Sequence, residues 1–547
     1  MSTENRVEEA RAGGLVVRVR GAAAEAAAEA VAALAADGVP AALASGDSTL
    51  WGPDAADLAA VRLGWLGLPR GSRELLPELS RLAAANRAAG LDRVVLAGMG
   101  GSSLAPEVIA ATRGAELTVL DTTDPAQVRA ATADRLHRTV LVVSSKSGGT
   151  VETDSHRRVF EKAFADAGID PAERIVVVTD PGSPLAELAA ERGYRTFLAD
   201  PDVGGRYSAL SAFGLVPTAL AGVDAAALLD EAAALTESLS AGKDNPALLL
   251  GAALGAAGRD KAALAAPTPV GLGDWIEQLV AESTGKQGTG VLPVVVEGVN
   301  APGFRDAPDT LPVSCSEAGP APDGDALVQV TGPLGAQFLA WEYATAIAGR
   351  LLGIDPFDQP NVQESKDNTK ALLERAGTGP LPAGEPLFTE GAVQVHASGA
   401  APRAGDLAGL LRGLLDAVPE RGYLAVMAYL DRLGDAPTAG LRPGLAAATG
   451  AQVTFGWGPR FLHSTGQYHK GGPAAGVFLQ ITADSAEDLE IPGRPYGLAR
   501  LQLAQALGDF GALDSRERPA VRLHLTDRAA GLEQLRRAVG SLEGVSR

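Results

Sequence analysis

Cysteine is nearly absent from this sequence, which has Cys315 alone among 547 residues. A single thiol excludes an intrachain disulfide framework and any metal site built from several cysteines. Basic residues are also scarce, since 47 lysines and arginines face 66 acidic residues and leave a net charge of −19. This charge argues against nonspecific binding to nucleic acid or to an anionic membrane, but a local basic pocket for an anionic metabolite stays open.

Long hydrophobic runs are missing as well. No stretch of about 20 uninterrupted apolar residues occurs, and the N-terminal sequence MSTENRVEEARAGG has no apolar signal core. We therefore expect a cytoplasmic protein with no membrane partner. The apolar content of 46% and the chain length predict a folded protein of roughly two to four domains.

The most informative stretch that is present, VLVVSSKSGGTVET, covers Val140–Thr153. An apolar run typical of a buried strand ends in a turn rich in hydroxyls and glycine, and a helix-like pattern follows. The free N–H groups and positive dipole end of a helix start, together with the Lys146 ammonium, suit a phosphate group. The Walker spacing GxxxxGK[ST] is absent, so we interpret this turn as another kind of phosphate site.

A second polar turn, GMGGSS at Gly98–Ser103, follows the strand predicted at Arg93–Gly98. Helices and apolar strands alternate through this region, which predicts a parallel sheet covered on both faces. Ligands of such sheets bind at the carboxyl ends of strands, so the two polar turns can serve one site. Asp121, at the end of the next strand, also fits a dinucleotide fingerprint, although Ser103 replaces its third glycine. A nicotinamide-dependent oxidoreductase is therefore one alternative.

Two charged residues stand at unusual places in the pattern. Arg206 directly follows a pair of glycines and precedes an apolar helix pattern, which is typical of a positioned charge. Glu282 lies near a helix end, one turn before Gly285, where a carboxylate suits a general base. Gln359 and Lys366 are seven residues apart, so a helix starting at the intervening Pro-Asn pair would put both on one face.

The predicted organisation has five parts: an N-terminal arm at 1–72, α/β domains at 73–225 and 226–376, a linker at 377–404 and a C-terminal domain at 405–547. Residues 222–265 are predicted to be strongly helical. The order of elements in the C-terminal domain, β-α-β-β-α-β, predicts a small α+β unit. Between its second and third strands, a glycine-rich loop carries His463 and His469, whose spacing does not predict a metal site.

Six motifs occur in order along the chain: GMGGSS at Gly98–Ser103, SSKSGGTVET at Ser144–Thr153, GGRYSALS at Gly204–Ser211, EQLVAESTGK at Glu277–Lys286, FDQPNVQESK at Phe357–Lys366 and HSTGQYHKGG at His463–Gly472. Together they resemble the glucose-6-phosphate isomerase family, which interconverts glucose 6-phosphate and fructose 6-phosphate without metal or cofactor. The resemblance covers residues from about 75 to 470. It implies an α/β fold class with two SIS-type (sugar-isomerase, flavodoxin-like) parallel-sheet domains, beside the N-terminal helical arm and the C-terminal α+β unit.

The resemblance also implies a role for each matched residue. The sugar phosphate would be held by Gly101, Ser102, Ser145, Lys146, Ser147 and Thr150. Glu282 would carry the proton between C1 and C2, and Arg206 would stabilise the negative enediolate. Gln359 and Lys366 would line the sugar site, with Lys366 assisting ring opening. A homodimer is the assembly that the resemblance implies.

One departure concerns the histidine that opens the sugar ring. The family places it between the base glutamate and the final lysine, but no histidine occurs between Glu282 and Lys366. His463 is the expected substitute and His469 the second candidate, acting in its own chain or across a dimer. Here the chain resembles the isomerase half of transaldolase–isomerase fusion proteins. The other alternative is a noncatalytic SIS-domain regulator, which would need the phosphate turns but neither Glu282 nor Arg206.

Overall fold

The computed structural model describes residues 6–316 and 326–542. The strands are β1 (Val7–Ala12), β2 (Leu15–Arg20), β3 (Arg93–Gly98), β4 (Leu117–Leu120), β5 (Thr139–Ser144), β6 (Ile175–Thr179), β7 (Arg195–Leu198), β8 (Lys261–Ala265), β9 (Leu292–Val296), β10 (Thr310–Ser314), β11 (Leu327–Thr331), β12 (Phe388–Glu390), β13 (Val393–Ala397), β14 (Tyr423–Tyr429), β15 (Gln452–Trp457), β16 (Gly476–Ala483) and β17 (Ala520–Leu525).

The helices are α1 (Ala22–Ala36), α2 (Val39–Ala44), α3 (Pro53–Ala60), α4 (Leu68–Gly71), α5 (Leu76–Ala88), α6 (Leu104–Arg113), α7 (Pro125–Ala133), α8 (Val151–Asp166), α9 (Pro184–Arg192), α10 (Ala212–Leu220), α11 (Ala225–Thr236), α12 (Pro246–Ala256), α13 (Leu272–Thr284), α14 (Leu334–Leu352), α15 (Val362–Ala376), α16 (Leu407–Asp416), α17 (Leu441–Thr449), α18 (Gly466–Gly471), α19 (Leu498–Asp514) and α20 (Arg528–Gly540). Across the described ranges, no helix has both the length and the apolar character needed to cross a bilayer.

The chain forms two compact units. Among the described residues, the first unit comprises 6–121, 134–300, 304–316 and 326–359, and the second comprises 122–133, 301–303 and 360–542. The first unit holds two sheets around one contiguous apolar core, and the second holds one sheet with a core of its own. The α/β class expected from the sequence is confirmed.

The first sheet of the first unit has the order β4-β3-β5-β6-β7, and all its strands are parallel. Every residue of β3 and β5 is buried, as expected for strands that are covered by helices on both faces. β-Branched and aliphatic residues fill these strands, which is why their positions could be predicted from the sequence. The carboxyl ends of β3, β5 and β6 lie side by side and lead into polar turns.

The second sheet has the order β1-β2-β11-β10-β8-β9. Strands β8 to β11 are parallel, whereas the N-terminal hairpin β1–β2 adds two antiparallel strands, with Val19 opposite Val328. The N-terminal arm thus contributes to this sheet. The prediction of a helical stretch through 222–265 is wrong at its end, because the alanine-rich sequence KAALA forms β8. Pairing with β9 and β10 overrides the helix propensity of alanine there.

The second unit contains the sheet β12-β13-β17-β16-β14-β15. Strands β14 to β17 are parallel, and only β12 and β13 run antiparallel at one edge. The predicted C-terminal α+β unit is therefore corrected to an α/β unit. The reason lies between β15 and β16, where the predicted glycine-rich loop folds into α18 and forms a crossover instead of a hairpin. Strands β12 and β13 also lie inside the stretch expected to be a linker.

Candidate active site

The two polar turns of the first unit begin side by side. Gly98 at the end of β3 is in register with Ser144 at the end of β5, so both turns leave the same edge of the sheet. The first turn winds through a 3₁₀ turn, Gly100–Ser102, in which Gly101 and Ser102 are buried. The second leads directly into α8. The sequence-based expectation that the turns lie at neighbouring strand ends is confirmed.

The turn after β5 is organised by its own side chains. The Ser145 and Thr150 hydroxyls are 3.1 Å apart, and the Gly149 N–H donates to Ser147 Oγ at 3.3 Å. Gly148 has a φ of +69°, and a Cβ there would lie 2.7 Å from the Leu185 nitrogen, so only glycine fits. The side chain of Thr150 does not cap α8, and the N–H groups at the start of a helix are suited to bind an anion.

Lys146 is held by a carboxylate that the sequence interpretation missed. Its Nζ donates to Asp180 Oδ2 at 2.6 Å and to the Pro201 carbonyl oxygen at 3.0 Å. Burial raises the pKa of Asp180 above its ordinary value, and the neighbouring Lys146 partly offsets this rise. Asp180 directly follows β6 at the carboxyl edge of the sheet, beside β5, and this position was the signal that could have identified it.

The glycine at position 101 permits a close approach between two turns. A Cβ there would lie only 1.9 Å from the carbonyl oxygen of Gly205, in the turn that carries Arg206. The Ser208 hydroxyl donates to the Gly101 carbonyl oxygen at 3.4 Å across the same contact.

Asp121, the acid of the dinucleotide alternative, is buried and accepts a hydrogen bond from Ser103 Oγ at 3.4 Å. This hydrogen bond within the protein indicates a structural role for Asp121.

Arg206 and Glu282 face each other, with Arg206 Nη1 3.3 Å from Glu282 Oε1. Both side chains are more than nine-tenths buried. The other oxygen of Glu282, at the end of α13, accepts from Gln278 Nε2 one turn earlier, at 3.2 Å. A buried carboxylate of this kind needs a charged or hydrogen-bonding partner on each oxygen, and both are present here.

The remaining hydrogen bonds of Arg206 join three segments of the first unit. Its Nε donates to Ser283 Oγ at 2.7 Å, and its Nη1 donates to Gln359 Oε1 at 2.8 Å. Its Nη2 donates to the carbonyl oxygens of Pro356 and Asp358 at 2.8 and 2.9 Å. Each of the three nitrogens of the guanidinium therefore has an acceptor. The cation, the carboxylate and the Gln359 amide form one preassembled cluster.

Gln359 does not share a helix with Lys366, so that prediction is wrong. Helix α15 begins at Val362, and the preceding residues form a turn through Pro360 and Asn361. Proline lacks the N–H of a continuing helix and restricts the residue before it to extended backbone, which separates Gln359 from the helix. Lys366 is exposed on the first turns of α15, in the second unit.

The two candidate histidines also belong to the second unit. His463 is half-buried at the end of a 3₁₀ turn, Arg460–His463. His469, in α18, is buried beside the rings of Tyr423, Phe461 and Phe478, and burial lowers its pKa to about 3. These surroundings favour a neutral, structural His469 over a proton donor.

The histidine motif contacts the start of the lysine helix within the second unit. Gln467 Nε2 donates to Asn361 Oδ1 at 2.8 Å, and the Asn361 N–H donates back to Gln467 Oε1 at 2.8 Å. This reciprocal pair joins the TGQ sequence of one motif to the PNV sequence of the other. The sequence alone did not reveal that these two motifs meet.

Comparison with known proteins gives consistent matches. The sequence profile of the family Phosphoglucose isomerase matches residues 84–256. A "Probable glucose-6-phosphate isomerase" of Natronomonas pharaonis is 36% identical over 338 residues, which cover 52% of this chain and 79% of the relative. A glucose-6-phosphate isomerase of Rubrobacter xylanophilus is 31% identical over 390 residues, covering 57% and 90%. The crystal structure of a hypothetical protein from Thermus thermophilus superposes with a TM-score of 0.56 at 26% identity, covering 65% of this chain and 99% of the other.

Proposed function

This chain belongs to the phosphoglucose isomerase family, and from that premise we propose how its residues divide the work of the reaction. The protein interconverts glucose 6-phosphate and fructose 6-phosphate, a step shared by glycolysis and gluconeogenesis. An aldose–ketose shift of this kind needs a carboxylate that removes a proton and returns it to the neighbouring carbon. It also needs a fixed positive charge beside the developing oxyanion and a handle that orients the reacting carbons.

Glu282 is the proposed base, and Arg206 is the proposed electrostatic partner of the enediolate. The observation that carries this assignment is the 3.3 Å separation between Arg206 Nη1 and Glu282 Oε1 in a buried setting. The two groups are held in place before substrate arrives, so little reorganisation is needed during the proton transfer. Gln359, bonded to the same Arg206 Nη1, is proposed to contact the sugar hydroxyls.

The phosphate of the substrate is proposed to bind the turn after β5 and the start of α8. Ser145, Ser147 and Thr150 offer hydroxyls, Lys146 offers a charge, and the uncapped helix offers N–H groups. Gly101 and Ser102 border this position from the neighbouring strand end. Binding energy from a phosphate that does not itself react holds C1 and C2 near the base.

Ring opening is proposed to use Lys366 and His463, with His469 as the second candidate. This assignment rests on the motif match, and the buried, weakly basic His469 supports His463 as the first choice. We also propose a homodimer that acts in the cytoplasm, as the family resemblance implies. The ranges 73–225 and 226–376 remain our proposed SIS-type domains.

The test is a coupled assay with fructose 6-phosphate on the wild type and on Glu282→Gln. We expect the amide to reduce kcat by roughly 10²- to 10⁴-fold, as for a positioned acid–base group, with little change in binding of the sugar phosphate. Glu161→Gln is the matched control, because Glu161 is another partly buried carboxylate paired with an arginine, Arg157, in the same unit. Its kcat should equal that of the wild type. Sugar-phosphate binding without turnover by the wild type would instead identify the noncatalytic regulator.

A further inference from the structure

Lys286 is a buried cation that the proposed mechanism does not use. It follows the end of α13 by two residues, and its side chain is 1% exposed. Its Nζ donates to the carbonyl oxygens of Asp355 and Asp358 at 2.7 and 2.8 Å and pairs with the carboxylate of Asp358. A lysine is rarely buried to this degree, and a buried ammonium needs hydrogen-bond acceptors or an opposite charge. The two carbonyl oxygens and the carboxylate meet this need.

The acceptors of Lys286 all lie in the turn 355–358, which precedes Gln359. The turn also accepts two hydrogen bonds from Arg206, through the carbonyl oxygens of Pro356 and Asp358. The carbonyl oxygen of Asp358 therefore receives hydrogen bonds from both cations, at 2.8 Å from Lys286 Nζ and 2.9 Å from Arg206 Nη2. Two positive charges that share one acceptor repel each other, and the turn between them holds both in place.

This arrangement connects Lys286 to the reacting carboxylate through a short chain of contacts. Lys286 and Glu282 leave the same end of α13, and Arg206 contacts both Glu282 and the turn that Lys286 holds. If the turn relaxed, Arg206 Nη2 would lose two acceptors, and Gln359 would lose its fixed place on Nη1. Arg206 would then be free to move relative to Glu282.

We propose that Lys286 is a positioning residue for the isomerase reaction, because it clamps the 355–358 turn that orients Arg206 and Gln359 around Glu282. The proposal rests on the function proposed above and deepens it by naming a further residue of the same site. Lys286 acts through Arg206 and the turn. It is expected to affect the rate of the proton transfer more than the binding of the phosphate group.

The charge of Lys286 is unusually easy to remove. Burial and the nearby Arg206 together lower the pKa of Lys286 from 10.5 to about 8, although Asp358 and Asp355 act in the opposite direction. Above pH 8 the neutral amine loses its ion pair with the Asp358 carboxylate and donates only weaker hydrogen bonds to the carbonyl oxygens. We therefore expect kcat of the wild type to fall on an alkaline limb with a midpoint near pH 8.

The free energy of unfolding is expected to change with pH in the opposite direction to kcat. This difference distinguishes a loss of kcat caused by Lys286 from a loss caused by unfolding. The folded protein releases the Lys286 proton near pH 8, whereas the unfolded chain holds it to about pH 10.5. Between these values the unfolded state binds more protons, so the contribution of Lys286 to the free energy of unfolding rises with pH. The proposal expects kcat to fall through pH 8 without a parallel fall in the thermal midpoint. A joint fall of both would contradict it.

The first experiment compares Lys286→Met with Lys261→Met in the coupled assay. Lys261 is an equally buried lysine of the same unit, paired with Asp260 and Asp309 at the start of β8. We expect Lys286→Met to lower kcat by roughly 10- to 100-fold with KM changed by less than about threefold, as for lost positioning. Lys261→Met should lose stability but keep kcat. Equal kcat values for the two variants would overturn the proposal.

The second experiment keeps the lysine and so does not depend on the folding of Lys286→Met. Asp358→Asn removes the carboxylate that raises the pKa of Lys286, so the alkaline limb of kcat should move to lower pH. An unmoved limb contradicts the proposal. The two conclusions also fail separately: no turnover by the wild type would defeat the proposed function, whereas turnover with an unaltered kcat in Lys286→Met would defeat only this inference.

Discussion

The phosphate turn at 144–150 and the Arg206–Glu282 cluster belong to the same unit but are built in opposite ways. The turn consists of consecutive residues, is partly exposed, and closes through hydrogen bonds within itself. The cluster is buried and draws its side chains from segments near positions 206, 282 and 359. A site made of neighbours in sequence leaves a local pattern, whereas a site made of distant segments exists only after folding. The predictions below test this contrast.

Among the four variants that follow, the largest effect is expected from Arg206→Met. The change removes the hydrogen bonds to Ser283, Gln359 and the 355–358 turn and leaves the buried Glu282 carboxylate without its cation. We expect kcat to fall by roughly 10²- to 10³-fold and stability by about 3–5 kcal/mol. Arg157→Met is the control, since Arg157 is similarly buried on α8 and pairs with acidic residues of the same helix. It should destabilise the protein with no change in kcat. Steady-state kinetics and thermal unfolding measure both quantities.

Lys146→Met should act mainly on substrate affinity. The ammonium is proposed to bind a phosphate group that does not react, so KM should rise by roughly 10- to 100-fold while kcat changes less. The assay is the dependence of the rate on fructose 6-phosphate concentration. Lys162→Met, on the exposed surface of α8, serves as the control and should leave KM unchanged. An unchanged KM in Lys146→Met would remove Lys146 from the phosphate site.

Gly101→Ala tests the contact between the two regions. The added Cβ would lie 1.9 Å from the Gly205 carbonyl oxygen, so one turn has to move at a cost of about 1–3 kcal/mol. Gly205→Ala is the control, because a Cβ at that position has no atom within 4 Å. Thermal unfolding should show a lower midpoint for Gly101→Ala than for Gly205→Ala. Equal midpoints would show that the turns do not need this close approach.

The smallest effect is expected from Asp180→Asn. Asp180 holds Lys146 at 2.6 Å, and its removal frees the ammonium for the phosphate while loosening its orientation. These consequences oppose each other, so we expect KM to change by roughly threefold or less. The ionic-strength dependence of KM should become steeper, because an unpaired lysine is screened more readily by salt. A rise in KM of about tenfold or more would instead show that Asp180 itself orients the phosphate site.

The fold was predictable where sequence pattern and environment agree. Strands β3 and β5 are runs of β-branched and aliphatic residues. β3 has its predicted bounds, Arg93–Gly98, and β5 contains the apolar run at the start of the stretch Val140–Thr153. β8 was missed because its alanines favour a helix in isolation, and only pairing with β9 and β10 makes them a strand. The prediction of a loop around His463 was also wrong, because local composition did not reveal how the segment packs. Its glycines and polar side chains suggested a loop, yet residues 466–471 form α18.

Within the site, the sequence located residue types but not their partners. The proposed roles of Glu282 and Arg206 came from motif positions, whereas the separation of their charged atoms became visible only in the fold. Asp180 and Lys286 were overlooked because an acid after a strand and a lysine after a helix are ordinary surface residues. Gln359 was placed on the wrong element, since the helix starts after Pro360. Its actual partner, Arg206, lies 153 positions earlier.

The sequence by itself determined the α/β class, the polar turns at the strand ends and the family. These features depend on local pattern, because hydrophobic periodicity, glycine and hydroxyl residues act over a few neighbouring positions. Only the tertiary structure decided which charges are buried together and which carbonyl oxygens receive Arg206 and Lys286. Burial weakens screening by water, so the distance between such groups determines their energy, and that distance is a property of the folded chain.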